Sequence, residues 1–130
     1  MDINELSPSE VFSYFQEICA IPHGSGNTGL IADYCLEFAK LHGLKARKDA
    51  ADNVVIFKTG FSGYEDCEPV ILQGHLDMVC EKEPDCDIDM SVQSIKACTD
   101  GKMVWADGTT LGADDGIAVA FILAVLASDT

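Results

Sequence analysis

The segment that most constrains this chain is its last helix-length stretch. From Gly116 to Ala127 the sequence is Gly-Ile-Ala-Val-Ala-Phe-Ile-Leu-Ala-Val-Leu-Ala, apolar at every position after the glycine. A helix that is apolar nearly all round has no face to give to water, so burial on most sides is expected. The eleven residues Ile117 to Ala127 fall well short of the roughly 20 that a membrane span needs. Asp114 and Asp115 stand directly before them. The segment therefore predicts a helix inside a globular fold, with a sheet strand beyond it. Because the chain stops at Ser128-Asp129-Thr130, its end reads as a truncation.

The rest of the chain can supply such a core. Hydrophobic residues make up 48% of the 130 residues, too many for a disordered chain. The length suits one domain or a part of a larger one. Acidic residues outnumber basic ones 22 to 8, a net charge of −14. That balance argues against nucleic acid and anionic membrane as partners, since both select basic surfaces. The N-terminus, Met1-Asp2-Ile3-Asn4-Glu5, is acidic where a signal peptide is basic. A cytoplasmic location is expected, and with it reduced thiols at Cys19, Cys35, Cys67, Cys80, Cys86 and Cys98. No Cys-x-x-Cys pair supports a zinc finger or a thioredoxin-like site.

Periodicity places the elements. Ser7-Pro8-Ser9-Glu10 predicts a helix start, with Ser7 as cap, Pro8 at the first helical position and Glu10 closing a capping box. Val11, Phe12, Phe15, Ile18 and Cys19 follow at helical spacing. Pro22 stops that helix, and His23 to Asn27 form a loop. A second helix is expected from Thr28 to His42, with Gly43 as its C-terminal cap. The period then changes. Asn53 to Lys58 holds a short β-type run. Val70-Ile71-Leu72 predicts a strand buried on both faces. Weaker strand candidates are Val92 to Ala97 and Met103 to Ala106, joined by a turn at Asp100-Gly101. Two helices, then strands, then a buried helix predict an α/β sandwich. No repeat or linker divides it.

Three clusters could carry chemistry. His75-Leu76-Asp77 follows the apolar strand, and side chains two apart on a strand share a face. A neutral imidazole is a zinc ligand, and a nearby carboxylate can fix its tautomer. The bland alternative is a satisfied polar pair at a strand end. Gly112-Ala113-Asp114-Asp115-Gly116 sets two carboxylates at a helix start, where they bind a cation or merely cap. Asp85, Asp87 and Asp89 match the first ligands of a calcium loop. Met90 and Lys96, however, stand where that loop needs Gly and Glu, so a solvated acidic loop is expected. His23 beside Ser25 lacks the surroundings of a nucleophile elbow. Gly24 and Gly26 are not followed by the Gly-Lys-Ser/Thr of a phosphate loop. His42 is placed to face a helix C-terminus.

Together, Ile18-Cys19-Ala20-Ile21-Pro22-His23, Leu72 to Val79 (Leu-Gln-Gly-His-Leu-Asp-Met-Val) and Gly108 to Gly116 (Gly-Thr-Thr-Leu-Gly-Ala-Asp-Asp-Gly) resemble the aminoacyl-histidine dipeptidases. That family, also called peptidase D or cytosolic non-specific dipeptidases, belongs with the carnosinase and carboxypeptidase G-like dinuclear metallopeptidases. The resemblance runs from Ser7 to about Leu126. The two long motifs come in the family's order, with Asp114 standing 39 residues after His75. Relatives in the wider clan carry Lys where this chain has Gly116, a departure that matches the aminoacyl-histidine branch.

The resemblance implies roles. His75 corresponds to the first metal ligand, Asp77 to the catalytic carboxylate that orients it, and Asp114 to the carboxylate bridging two metal ions. Asp115 falls where the family often has Asn, and the Asp114–Asp115 peptide bond is expected to be cis. The implied fold is a three-layer α/β/α sandwich of the zinc-peptidase type, of which residues 1–130 are the N-terminal portion of the catalytic domain. The general-base Glu, the remaining ligands and the lid or dimerisation domain fall outside this stretch. The implied activity is metal-dependent hydrolysis of dipeptides, Xaa-His among them, by the intact protein. Two divalent ions are implied, zinc first, with manganese or cobalt as alternatives, and a homodimer is one possible assembly. The isolated chain is expected to be inactive. Two alternatives stay open: a related amide hydrolase such as a tripeptidase or N-acyl amino acid deacylase, and a non-catalytic cation- or partner-binding α/β module.

Overall fold

A computed structural model describes residues 2–129. The chain opens with a single 3-10 turn, Ile3–Glu5, whose start is held by the Asp2 carboxylate accepting from the Asn4 N–H at 2.9 Å. Helix α1 spans Ser9–Cys19 and buries Val11, Phe15, Ile18 and Cys19, one stripe at the expected spacing. Its entry differs from the capping-box expectation. Pro8 is the cap residue, it follows a cis Ser7–Pro8 bond, and no side chain caps the helix. Ser9 instead donates to the Glu10 carboxylate at 3.0 Å.

Helix α2 spans Gly29–Leu41 and buries Ile31, Ala32, Cys35, Phe38 and Ala39. It ends as the glycine predicts. Gly43 takes φ +66, its N–H donates to the Lys40 carbonyl, and the Leu44 N–H donates to that of Ala39. That pair of bonds is the Schellman arrangement, which satisfies two of the helix's last carbonyls. An edge-on contact between Tyr14 and Phe38, with ring centroids 5.5 Å apart, joins α1 to α2. A hydrogen bond of 2.9 Å from the Tyr34 hydroxyl to Glu17 joins them again.

Strand β1, Lys45–Lys48, pairs antiparallel with β2, Val54–Phe57, in the register Lys45↔Phe57 to Lys48↔Val54. Strands β3, Ala97–Thr99, and β4, Val104–Ala106, form a second antiparallel pair around the turn at Asp100-Gly101. The first of these begins five residues later than its sequence pattern predicts. Val92 and Gln93 are held in a turn instead, both N–H groups donating to the Asp89 carbonyl. Helix α3, Ala113–Ala127, packs along α1. Phe15, Ile18, Val119, Ala120 and Leu123 meet there in the main core, and each large aliphatic or aromatic side chain so buried is worth about 1.5–3 kcal/mol.

Two expectations about burial are corrected. Helix α3 is buried on one stripe only, Gly116, Val119, Ala120 and Leu123, while Phe121 is 50% exposed and Val125 46%. The run Val70-Ile71-Leu72 is extended but joins neither sheet, and Val70 and Ile71 are 84% and 88% exposed. The physical reason is shared: among the described residues no strand lies beside this run and no layer covers the outer face of α3. The α/β class itself holds.

Candidate functional site

The site is built where the extended segment after Leu72 meets the start of α3. Gly74 permits the approach. A Cβ there would stand 3.1 Å from Asp115 Oδ2 and 3.3 Å from a Val119 methyl. Gly112 is needed for two reasons. Its φ is +71, and a side chain would meet Met78 Sδ at 2.8 Å. A threonine fastens the two segments just beyond this point. Thr110 Oγ1 donates to the Val79 carbonyl at 2.7 Å and accepts from the Glu81 N–H at 3.2 Å, and the Thr110 N–H donates to the Glu81 carbonyl at 2.9 Å.

These fastenings bring His75, Asp77 and Asp114 together. His75 Nδ1 lies 2.9 Å from the Asp77 carbonyl and 3.2 Å from Asp77 Oδ1. Its Nε2 lies 3.0 Å from Asp114 Oδ1. The Asp114–Asp115 bond is cis, as the resemblance implies, and both residues depart from helical geometry. Asp114 projects outward, its side chain 96% exposed, whereas Asp115 is turned toward the Gly74 backbone.

The proton pattern around His75 limits what can sit there. Both partners of Nδ1 are acceptors, so Nδ1 carries the hydrogen. In the neutral ring Nε2 is then a lone pair, facing another acceptor on Asp114. That contact needs a proton or a cation between its atoms. Without a cation, the Asp114 carboxylate raises the His75 pKa above its ordinary value, with smaller help from Asp77. The Asp77 carboxylate is held below its ordinary range, first by a hydrogen bond from Ser25 and also by His75.

Imidazole nitrogen and carboxylate oxygen are the donors that zinc and its neighbours accept, so the chemistry of the pair fits a divalent ion. The number of donors is two; among the described residues no group of three or more His, Cys, Asp or Glu could hold a metal. The other candidates stay apart from this cluster. Asp89 accepts from the N–H and hydroxyl of Ser91, and Asp85 and Asp87 are exposed. His23 is buried with Nδ1 2.5 Å from the Ile21 carbonyl, so it is not paired with Ser25. His42 lies against the Phe38 ring at 4.4 Å. All six cysteines are free thiols. Gly116 packs closely on α1: a Cβ there would stand 3.2 Å from the Phe15 ring, so a side chain at this position needs that ring to shift by a few tenths of an ångström.

The chain that sets this His-x-Asp segment against an Asp-Asp helix start is similar to dipeptidases. The chain is 41% identical over 128 residues to the cytosol non-specific dipeptidase of Escherichia coli (strain K12), an alignment covering 98% of this chain and 26% of that protein. Its fold matches the crystal structure of aminoacylhistidine dipeptidase from Vibrio alginolyticus with a TM-score of 0.95 and 43% identity, covering 99% of this chain and 26% of that one. The chain thus spans about a quarter of the length of either relative. No protein-family model matches it. The resemblance carried by the motifs is borne out in both sequence and fold. No helix among the described residues is long and apolar enough to cross a membrane.

Proposed function

We propose that this chain is the N-terminal portion of the catalytic domain of a cytoplasmic metallo-dipeptidase that hydrolyses Xaa-His and other dipeptides. The observation that carries the proposal is the 3.0 Å approach of His75 Nε2 to Asp114 Oδ1, an imidazole nitrogen and a carboxylate oxygen from segments 39 residues apart. Both relatives are named dipeptidases, and one is named for the cytosol. The charge of −14 speaks against nucleic acid and anionic membrane as partners.

In this reading His75 and Asp114 would be the residues of this chain that hold divalent metal, a pair of ions with zinc first and manganese or cobalt as alternatives. Bound there, such ions supply a water of lowered pKa and polarise a peptide carbonyl. The chain's own residues do the positioning. Asp77 accepts the Nδ1 hydrogen of His75, which fixes the tautomer and turns the Nε2 lone pair toward Asp114. Asp115 lies beside Gly74 at the turn from which Asp114 projects. Proton transfer from the attacking water falls to a Glu outside residues 1–130, and a homodimer remains one possible assembly.

The test is an assay of the complete open reading frame beside residues 1–130 alone. Metal-loaded and metal-stripped samples of each are given an Xaa-His dipeptide. Metal-dependent cleavage by the former and none by the latter is expected. No cleavage by the former under any of the three metals would contradict the proposal. Cleavage only of tripeptides or N-acyl amino acids would favour a related amide hydrolase.

A further inference from the structure

The loop before α2 is built against the site from the other side, and the mechanism above leaves it unused. Residues His23 to Ser25 run parallel to the segment around Met78. The Met78 N–H donates to the His23 carbonyl at 3.0 Å, and the Ser25 N–H donates to the Met78 carbonyl at 3.1 Å. Gly24 lies close against Cys80, whose Sγ would stand 2.7 Å from a Cβ at this position. The loop is also tied at both ends. Buried His23 is bound to the Ile21 carbonyl. The Asn27 side chain donates to the Ser91 carbonyl at 3.0 Å, and its N–H donates to the Gly24 carbonyl at 2.8 Å.

This frame delivers one hydroxyl. Ser25 Oγ donates to Asp77 Oδ2 at 2.5 Å, across 52 residues of sequence. The other oxygen of that carboxylate, Oδ1, faces His75 Nδ1 at 3.2 Å. The two oxygens of Asp77 are thus divided between Ser25 and His75, and the contacts continue through His75 to Asp114. A carboxylate can turn about its last bond. A donor on Oδ2 removes that freedom and holds Oδ1 on the imidazole. Hydrogen bonds to a carboxylate are among the stronger ones, and outer partners of metal-binding histidines tune the site they support.

We propose that Ser25 is a positioning residue of the site: its hydroxyl locks the Asp77 carboxylate, and through it the ring of His75 toward the divalent ion. The inference rests on the metal-site reading given above for His75 and Asp114. Ser25 is thereby assigned neither nucleophilic nor ligand duty.

The test uses the 130-residue chain and zinc alone, with the His75 ring nitrogens observed by NMR. In Ser25→Ala, zinc affinity is expected to fall about 10-fold, the lower end of the range for outer partners. The metal-free His75 nitrogen signals should move, while amide signals away from the loop stay in place. Ser25→Thr should restore both, and Ser25→Val, of the same shape without the hydroxyl, should not. The Thr and Val variants decide the matter if Ser25→Ala does not fold. Unchanged His75 signals and affinity in Ala or Val overturn the proposal. If the unsubstituted chain, with only two of the donors, binds no zinc at His75, the metal-free His75 signals alone decide whether Ser25 orients the ring: signals that move in Ser25→Ala and Ser25→Val support it, and unchanged signals overturn it.

Discussion

The α1–α3 interface and the run Val70-Ile71-Leu72 are made of similar residues and meet opposite fates. At the interface, Phe15, Ile18 and Leu123 are each no more than 2% exposed. On the extended stretch, Ile71 is 88% exposed, although its side chain is as apolar as theirs. A helix satisfies its own backbone and needs only one neighbour to cover its stripe. An extended segment needs partners on both edges and both faces before an apolar run is buried. The core is therefore built from local periodicity, whereas the site is carried on a segment held at a few fixed points: Ser25, Thr110 and the Met78 backbone.

This contrast is broken or sharpened by substitution, the largest effect coming at the site. Asp114→Ala should reduce zinc binding by at least about 100-fold, more than the loss of an outer partner costs, and leave the melting temperature nearly unchanged. Asp115→Asn should keep the metal. Metal counting by plasma emission beside a thermal melt checks both. If both residues merely cap α3, both variants should keep their metal and lose about 0.5–2 kcal/mol of stability. If Asp115→Asn alone empties the site, the register within Gly-Ala-Asp-Asp-Gly is wrong by one residue.

The core comes next. Leu123→Ala should cost about 2–5 kcal/mol in denaturant unfolding, because it opens a cavity against α1. Ile71→Ala removes a comparable side chain from the extended stretch and should stay within about 0.5 kcal/mol, as a surface change does. Equal costs at the two positions would show that the exposed run is covered in solution. That outcome would carry with it a second expectation: the chain self-associates through Val70, Ile71 and Phe121, which sedimentation would reveal as a concentration-dependent mass.

An effect confined to alkaline pH lies in the buried thiols. Burial pushes the Cys19 thiol up to about 12 from 9.0, and Cys35 to about 11. A pKa raised by folding contributes stability that is whole below the unfolded value and is lost as pH rises through the folded one. Unfolding midpoints should hold steady to about pH 9 and decline between about 9 and 12. At pH 8, iodoacetamide should modify exposed Cys67 and spare Cys19 and Cys35 until denaturant is added. Equal labelling of all three would contradict the packing of α1 and α2.

What could be seen in the sequence follows the same division. Helices α1 and α2 were legible because their stripes and the cap at Gly43 are local signals. Strand β1, Lys45-Ala46-Arg47-Lys48, was not, for it carries no apolar alternation. It is a strand because the Asp49 carboxylate accepts from the Ala51 and Asn53 N–H groups and turns the chain back onto β2. Arg47 then lies over the Phe57 ring at 5.9 Å. Val70-Ile71-Leu72 carries a strand signal, but its burial depends on neighbours that a local run cannot specify. At the site, His75, Asp77 and Asp114 could be singled out because their motifs are short and contiguous. Thr110 is one threonine in a glycine-rich loop, and nothing local marks it as the residue that fastens two segments. Ser25 stands two residues from His23 in sequence, whereas its partner, Asp77, lies 52 residues away.

The central claim is that His75 and Asp114 share a divalent cation. Zinc titrated into the isotope-labelled product of the complete open reading frame, with the His75 imidazole and Asp114 carboxyl signals followed together, tests it most directly. The account predicts that both signals move and saturate together, and that neither moves with zinc in Asp114→Ala. Zinc that leaves both signals in place, or shifts only the acidic loop at Asp85, Asp87 and Asp89, would contradict it.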